Sequence, residues 1–281
     1  MLITFPKEST IIRADEIIRL CGNALRTKQP LTFSLKETIF IDPFAVSVLA
    51  GVIKQCKKTR NRKILYNPPE NAEVDKYLSQ IGFKAFFKIN GPDIHRDTTV
   101  QLRQLNAIDP IYIENLIILI DSKMRLSEGI KDSFKMSLNE VLTNVFDHSK
   151  SADGCFLCAQ YYPSSKLIRL CIIDFGVGIL TTLKTKYGIW TDIDAIKLSV
   201  KEGITSRPQS AGFGLFHIRN FLKVNEGTLT LISGKGKVDF RGNKIATHRL
   251  SSVFKGTIVN LLIKANKRSF YFLSDEKDYI F

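Results

Sequence analysis

The amino-acid sequence predicts an α/β protein built from two unlike units. Three observations predict it. Short strand-type runs alternate with helical spacing over the first ninety residues, a polar turn-forming break follows at Asn90-Gly91-Pro92-Asp93, and two long helical patterns then precede a series of strands. With 281 residues, 44% of them hydrophobic, the chain can bury enough apolar surface for two cores.

In the first unit, β-type runs at 2–5, 31–35 and 64–66 predict strands. Apolar spacing predicts helices over 14–25, 44–56 and 72–81, the last beginning after the breaker Asn67-Pro68-Pro69. We place this domain at 1–88 and a linker at 89–105, with a long helical region beginning near Leu105. Helices are predicted at 111–123 and 127–149. In the second of these Ile130, Phe134, Leu138, Val141, Leu142 and Val145 recur at helical spacing and form a core stripe. Runs at 155–162 and 166–174 read as a hairpin across Pro163-Ser164-Ser165, and 228–233 and 256–264 supply later strands. The second domain spans 106–265, with a C-terminal extension at 266–281.

Composition excludes several classes. The longest aliphatic run, 116–120, is far short of the roughly 20 apolar residues that span a bilayer. The start carries Pro6, Lys7 and Glu8 where a secretory signal needs an apolar stretch, so the protein is expected in the cytoplasm, away from membranes. Five cysteines, an odd number, fit a reducing compartment better than a disulfide framework. Cys155 and Cys158 form a C-x-x-C, but on a strand residues three apart face opposite ways, so buried thiols are expected rather than metal ligands. The formal charge of +14 attracts anionic partners. The densest cluster, Lys54, Lys57, Lys58, Arg60, Arg62 and Lys63, lacks interleaved aromatics for base stacking and reads first as the solvated end of a helix. Nucleic-acid binding through it is the weaker reading.

Four motifs carry chemistry. Glu140, Asn144 and His148 lie four apart on one helix, offset from the apolar stripe. A carboxylate and a carboxamide one turn apart can polarise a hydroxyl and hold a hard cation. The strand ending at Asp174 runs into Phe175-Gly176-Val177-Gly178, where glycines let the backbone approach a ligand and the aspartate can accept from an exocyclic amino group. Gly212-Phe213-Gly214 then introduces a helix whose unpaired N–H groups suit a phosphate chain. Gly256-Thr257 leads the final strand, placing a hydroxyl where it can return to the first motif. The triplets His95-Arg96-Asp97 and Asp174-Phe175-Gly176 also spell two protein-kinase signatures. Leu102 stands where that catalytic loop needs a metal-binding Asn, and no glycine-rich loop precedes them.

In this order the four motifs, over roughly 106–265, resemble the GHKL (Bergerat-fold) ATPases, which include gyrase, sensor histidine kinases and anti-sigma-factor kinases. The resemblance implies an α/β sandwich with helices on one face of a mixed, largely antiparallel sheet, and the cofactors ATP and Mg²⁺. It assigns Glu140 as general base, Asn144 as Mg²⁺ ligand and Asp174 as the contact to the adenine amino group. Gly176 and Gly178 lie beside the nucleotide, Gly212 and Gly214 close over the phosphates, and Thr257 assists adenine binding. It also implies a mobile ATP lid over 180–211, with Thr205, Ser206 and Arg207 in it and Arg207 a candidate phosphate contact. Residues 31–87 resemble a STAS domain in their strand, Asp-containing turn, helix, strand, Asn-Pro-Pro and helix. Relatives regulated by phosphorylation carry Ser or Thr just after that turn's aspartate. Here Asp42 is followed by Pro43 and Phe44, leaving Ser47 as a nearby hydroxyl. Together the resemblances imply a bacterial regulatory ATPase or protein serine/threonine kinase of the anti-sigma-factor type, with a STAS-domain or sigma-factor-like partner. The alternative is a non-hydrolysing, ATP-dependent scaffold or a nucleic-acid-associated protein. An autophosphorylating histidine kinase fits poorly, because His95 lies beside a turn and not on a dimerising helical hairpin.

Overall fold

The computed structural model describes residues 1–60, 63–89, 96–148, 151, 153–204 and 212–265. It is a mixed α/β protein. The N-terminal part runs β1 (Leu2–Thr4), β2 (Glu8–Ser9), a 3-10 turn at Ile11–Arg13, α1 (Ala14–Arg26), β3 (Leu31–Ser34), β4 (Phe40–Ile41), α2 (Pro43–Arg60), β5 (Ile64–Asn67), α3 (Ala72–Gln80) and α4 (Phe83–Phe86). A parallel sheet of order β1-β3-β5 and a small parallel pair β2-β4 hold it together. Local chemistry sets the helix starts. Asn71 accepts the backbone N–H groups of Glu73 and Val74 at the head of α3, and Asp42 accepts that of Ala45 at 3.1 Å one residue before α2 begins on Pro43.

Helix α2 outruns its expected end at residue 56 because its basic tail finds partners. Lys54 and Lys57 lie over the rings of Phe86 and Phe87, and Lys58 pairs with Asp153 at 2.8 Å. Arg62 lies outside the described residues.

The C-terminal part runs β6 (Thr99–Leu105), α5 (Pro110–Met124), α6 (Glu128–His148), β7 (Cys155–Tyr162), β8 (Leu167–Asp174), α7 (Ile179–Tyr187), α8 (Asp192–Ser199), α9 (Gly214–Asn225), β9 (Thr228–Arg241) and β10 (Lys244–Lys264). Its sheet has the order β6-β7-β8-β10-β9, and every neighbouring pair is antiparallel, so the expectation of a mixed sheet is corrected. Residues 99–105, assigned to the linker and to the approach of a helix, form the edge strand β6. A register shift between Val100 and Arg103 breaks the alternation there, which is why the period-2 signal was too short to read. Strands β9 and β10 also run past their expected ends, pairing through a ribbon in which Lys244 faces Arg241 across a turn at Gly242 and Asn243. The stretch 180–211 is largely helical, carrying α7 and α8; its residues 205–211 lie outside the described set, as does 266–281.

The two faces of the five-stranded sheet have different covers. On one, Leu170, Ile172 and Leu261 share a core with Leu138, Val141 and Leu142 of α6 and with Ile218 and Leu222 of α9. On the other, Phe156, Cys158, Ile173 and Ile258 share a core with Ile17 of α1 and with Val48, Leu49 and Val52 of α2. The expectation of helices on one face therefore holds for the second domain's own helices, while the N-terminal domain covers the opposite face. Cys155 and Cys158 fall in different cores, as strand alternation requires, and all five cysteines are buried and free.

Candidate functional site

The predicted site residues come from four separated stretches of chain, and the fold gathers most of them at one end of the sheet. Asn144 of α6, Asp174 at the end of β8, Gly178 beyond it and Thr257 of β10 line one cavity. Its apolar wall includes Val141, Ile172, Ile179 and Leu215, and it holds about 790 Å³ of unoccupied space, its open mouth included. An apolar slot with a few convergent polar groups is the usual form of a small-molecule site. Gly176 lies just outside, lining a neighbouring groove that shares Gly178. Gly212 and Gly214 sit against Glu140 instead, at the start of α9.

Asp174 is the deepest polar group, with 2% of its surface exposed. Its Oδ1 accepts the Gly176 N–H at 2.7 Å. Burial pushes its carboxyl up to about 6, against the lowering effect of the hydrogen bonds from Gly176 and Thr257. Thr257 lies directly opposite it in the β10–β8 register. That approach depends on Gly256, whose φ is +122° and where a Cβ would stand 2.0 Å from the Asp174 carbonyl oxygen.

Glu140 takes a position that spacing did not foretell. The Gly212 N–H donates to its Oε1 at 2.5 Å, and the Phe213 N–H reaches Oε1 at 3.1 Å and Oε2 at 3.2 Å. The carboxylate thus neutralises donors at the N-terminus of α9, where neither the helix's first turn nor Phe213 provides a side-chain cap. Helices α6 and α9 come this close because residue 214 is glycine: a Cβ there would lie 2.9 Å from the Glu140 Cβ and 3.0 Å from the Ser137 carbonyl oxygen. Thr205, Ser206 and Arg207 lie outside the described residues, and nothing is described of the His148 side chain.

Among the described residues no cluster of three or more His, Cys, Asp or Glu could hold a metal ion. The carboxamide of Asn144 beside the cavity nevertheless fits Mg²⁺ carried by a nucleotide, since that ion keeps most of its shell as water and phosphate oxygen and takes one or two protein ligands.

Two contributors escaped the sequence reading. Ser233 accepts the Ile179 N–H at 2.9 Å and donates to the Gly256 carbonyl at 2.9 Å, tying β9 to the loops on both sides of Asp174. Its only signal was its place as the last residue of a predicted strand. Phe175, between Asp174 and Gly176, turns away from the cavity and packs between Phe156 and Phe254, with ring centroids at 6.1 and 5.4 Å.

The turn at Asp42 is buried between the domains. Arg169 of β8 donates to Asp42 Oδ2 at 2.9 Å while its guanidinium lies over the rings of Phe40 and Tyr162. Burial raises the Asp42 carboxyl, opposed by Arg169 and by the N–H groups of Ala45 and Ile11. Ser47, the nearby hydroxyl, is fully buried with its Oγ 3.3 Å from Cys158 Sγ, so in this arrangement it is closed to a phosphoryl donor.

Among the described residues no helix is long and apolar enough to cross a membrane. A search of the curated proteins gave no match. Residues 1–96 match the family model of the STAS domain, and the N-terminal part of this chain is a STAS domain.

Proposed function

We propose that residues 106–265 bind ATP with Mg²⁺, and that the protein is a regulatory ATP-binding protein of the partner-switching kind, an ATPase or protein serine/threonine kinase. The observation that carries this reading is the convergence of Asn144, Asp174, Gly178 and Thr257, distant in sequence, on one apolar cavity. In it Asp174 would accept from the adenine amino group with Thr257 beside it, Val141, Ile172 and Leu215 would enclose the base, and Asn144 would hold the metal that accompanies the phosphates. Bound Mg-ATP supplies a transferable phosphoryl group. Glu140, one helical turn before Asn144, is the base for water or for a protein hydroxyl.

The STAS domain at residues 1–96 supports the regulatory part of the reading. Its Asp42 turn is buried in cis, and the two residues after the aspartate cannot accept phosphate, which argues against that turn as the phosphoryl acceptor. The engagement of Glu140 with backbone N–H groups favours a second reading, a scaffold that binds ATP without hydrolysing it.

Calorimetric titration of ATP with Mg²⁺ tests the site. Asp174→Ala should abolish binding, and Asn144→Ala should remove its Mg²⁺ dependence; normal affinity in both variants would sink the proposal. Phosphate release by the wild type, lost in Glu140→Ala, separates the enzyme from the scaffold.

A further inference from the structure

We propose that Glu140 is an internal anion that occupies the phosphate-facing N–H groups at the head of α9 until a nucleoside triphosphate displaces it, so that its carboxylate is released to act as base only when the site is filled. This rests on the ATP-binding reading above and gives that site its own control.

The N–H groups of Gly212 and Phe213 are backbone donors at a helix start, the kind of group that attracts an anionic ligand. Here the anion comes from the protein. Glu140 reaches across from α6 and takes both donors, with its two oxygens sharing Phe213. The contact is built in by Gly214, whose missing side chain lets the body of Glu140 lie against the first turn of α9. A carboxylate and a phosphate cannot share these donors, because two anions at hydrogen-bonding separation repel and each donor has one hydrogen to give. The cavity lies immediately beside this contact: Leu215, next to Gly214, and Asn144, one turn after Glu140, both line it.

The same arrangement reconciles two features that otherwise conflict. Both oxygens of Glu140 are occupied by backbone N–H donors, yet Glu140 stands where a base is expected. If the triphosphate takes over the N–H groups, the carboxylate loses its partners as the substrate arrives, and empty protein keeps its base out of action. ATP then pays a penalty that adenosine, which lacks phosphate, avoids.

The test is calorimetric titration of the full chain with Mg-ATP and, separately, with adenosine, comparing wild type, Glu140→Gln and Glu140→Ala at one salt concentration. Removing the competing charge should tighten ATP by about tenfold in both variants, the scale set by losing one or two charge-assisted hydrogen bonds, and leave adenosine unchanged. ATP affinity that stays equal or weakens, with adenosine unchanged, would overturn the proposal. Loss of adenosine binding in both variants would overturn it too, since Glu140 would then be a brace for the pocket. Wild-type protein that binds neither compound would sink the ATP-binding reading itself, a result distinct from either of these.

Discussion

The ring of Phe175 rests on the bare backbone of Gly51. A Cβ at residue 51 would stand 2.1 Å from Phe175 Cε2, closer than any packed carbon can come. Gly51 lies inside α2 of the STAS domain, where glycine costs roughly 1 kcal/mol relative to alanine. That cost is offset by letting α2 lie close against the sheet. Phe175 is also the neighbour of Asp174, so the loop that lines the cavity and the helix that covers the sheet's other face touch through one aromatic ring.

Gly51→Ala should therefore destabilise the protein by about 1–3 kcal/mol, the usual cost of overpacking, despite its better helix propensity. Pairing it with Phe175→Leu should recover part of that loss. Urea unfolding of the four proteins in a double-mutant cycle measures the coupling, and strictly additive costs would show that the ring is not the obstacle.

The Asp42–Arg169 pair behaves as a buried ion pair, with Asp42 1% exposed at its side chain. Arg169→Met leaves the carboxylate without its cation and should cost about 3 kcal/mol, whereas the double variant Asp42→Asn, Arg169→Met should cost less. Burial raises the folded Asp42 carboxyl above its ordinary value of 3.8. Its contribution to stability is thus full below that value and is lost as pH rises through the folded pKa, and more is lost without Arg169. Unfolding midpoints from pH 4 to 8 should show the Arg169→Met deficit growing with pH; a deficit that does not vary with pH would contradict the pairing.

For Asp174 the same sign applies with a value attached. Its carboxyl sits at about 6, so the folded state holds its proton longer than the unfolded chain, and stability from this group fades as pH rises from 3.8 through about 6. Ligand binding runs the other way, because the ionised carboxylate is the stronger acceptor for an amino group. Adenosine affinity should weaken as pH falls through 6 in the wild type and stay flat in Asp174→Asn. An identical pH profile in both proteins would remove Asp174 from the site.

The C-x-x-C should be chemically silent. Burial pushes the thiols of Cys155 and Cys158 up to about 12, and all five cysteines are buried. An aromatic disulfide reagent should label none of them in the native protein and all five after denaturation. Rapid native labelling of even one would place a thiol where solvent reaches it.

Most of the helices and strands were legible because each buries one face and so writes its period into the chain. The stripe from Ile130 to Val145 lies in the core as its spacing implied, and β7 runs over its predicted residues. Strand β6 was not legible, since its apolar alternation is confined to Val100 and Leu102 before Arg103-Gln104 interrupts it, and its register shift sends those two residues into different cores. The far end of β9 was missed because it opens with Gly234-Lys235-Gly236-Lys237, which reads as loop, and the first half of β10 because its pairing is interrupted by register shifts between Arg249 and Thr257.

The order and spacing of residues by themselves determined that Glu140 and Asn144 share a helix face, that an aspartate ends a buried strand before paired glycines, and that Asp42 is followed by residues unable to carry phosphate. These are local properties, set by helix and strand periods and by side-chain chemistry. Only the tertiary structure decided that the STAS domain covers the sheet's second face, that Arg169 answers Asp42 across 127 positions of chain, and that Glu140 is held by the backbone of α9. Those contacts depend on how close two elements come, and closeness is governed by glycines such as Gly51 and Gly214 whose partners lie far away in sequence.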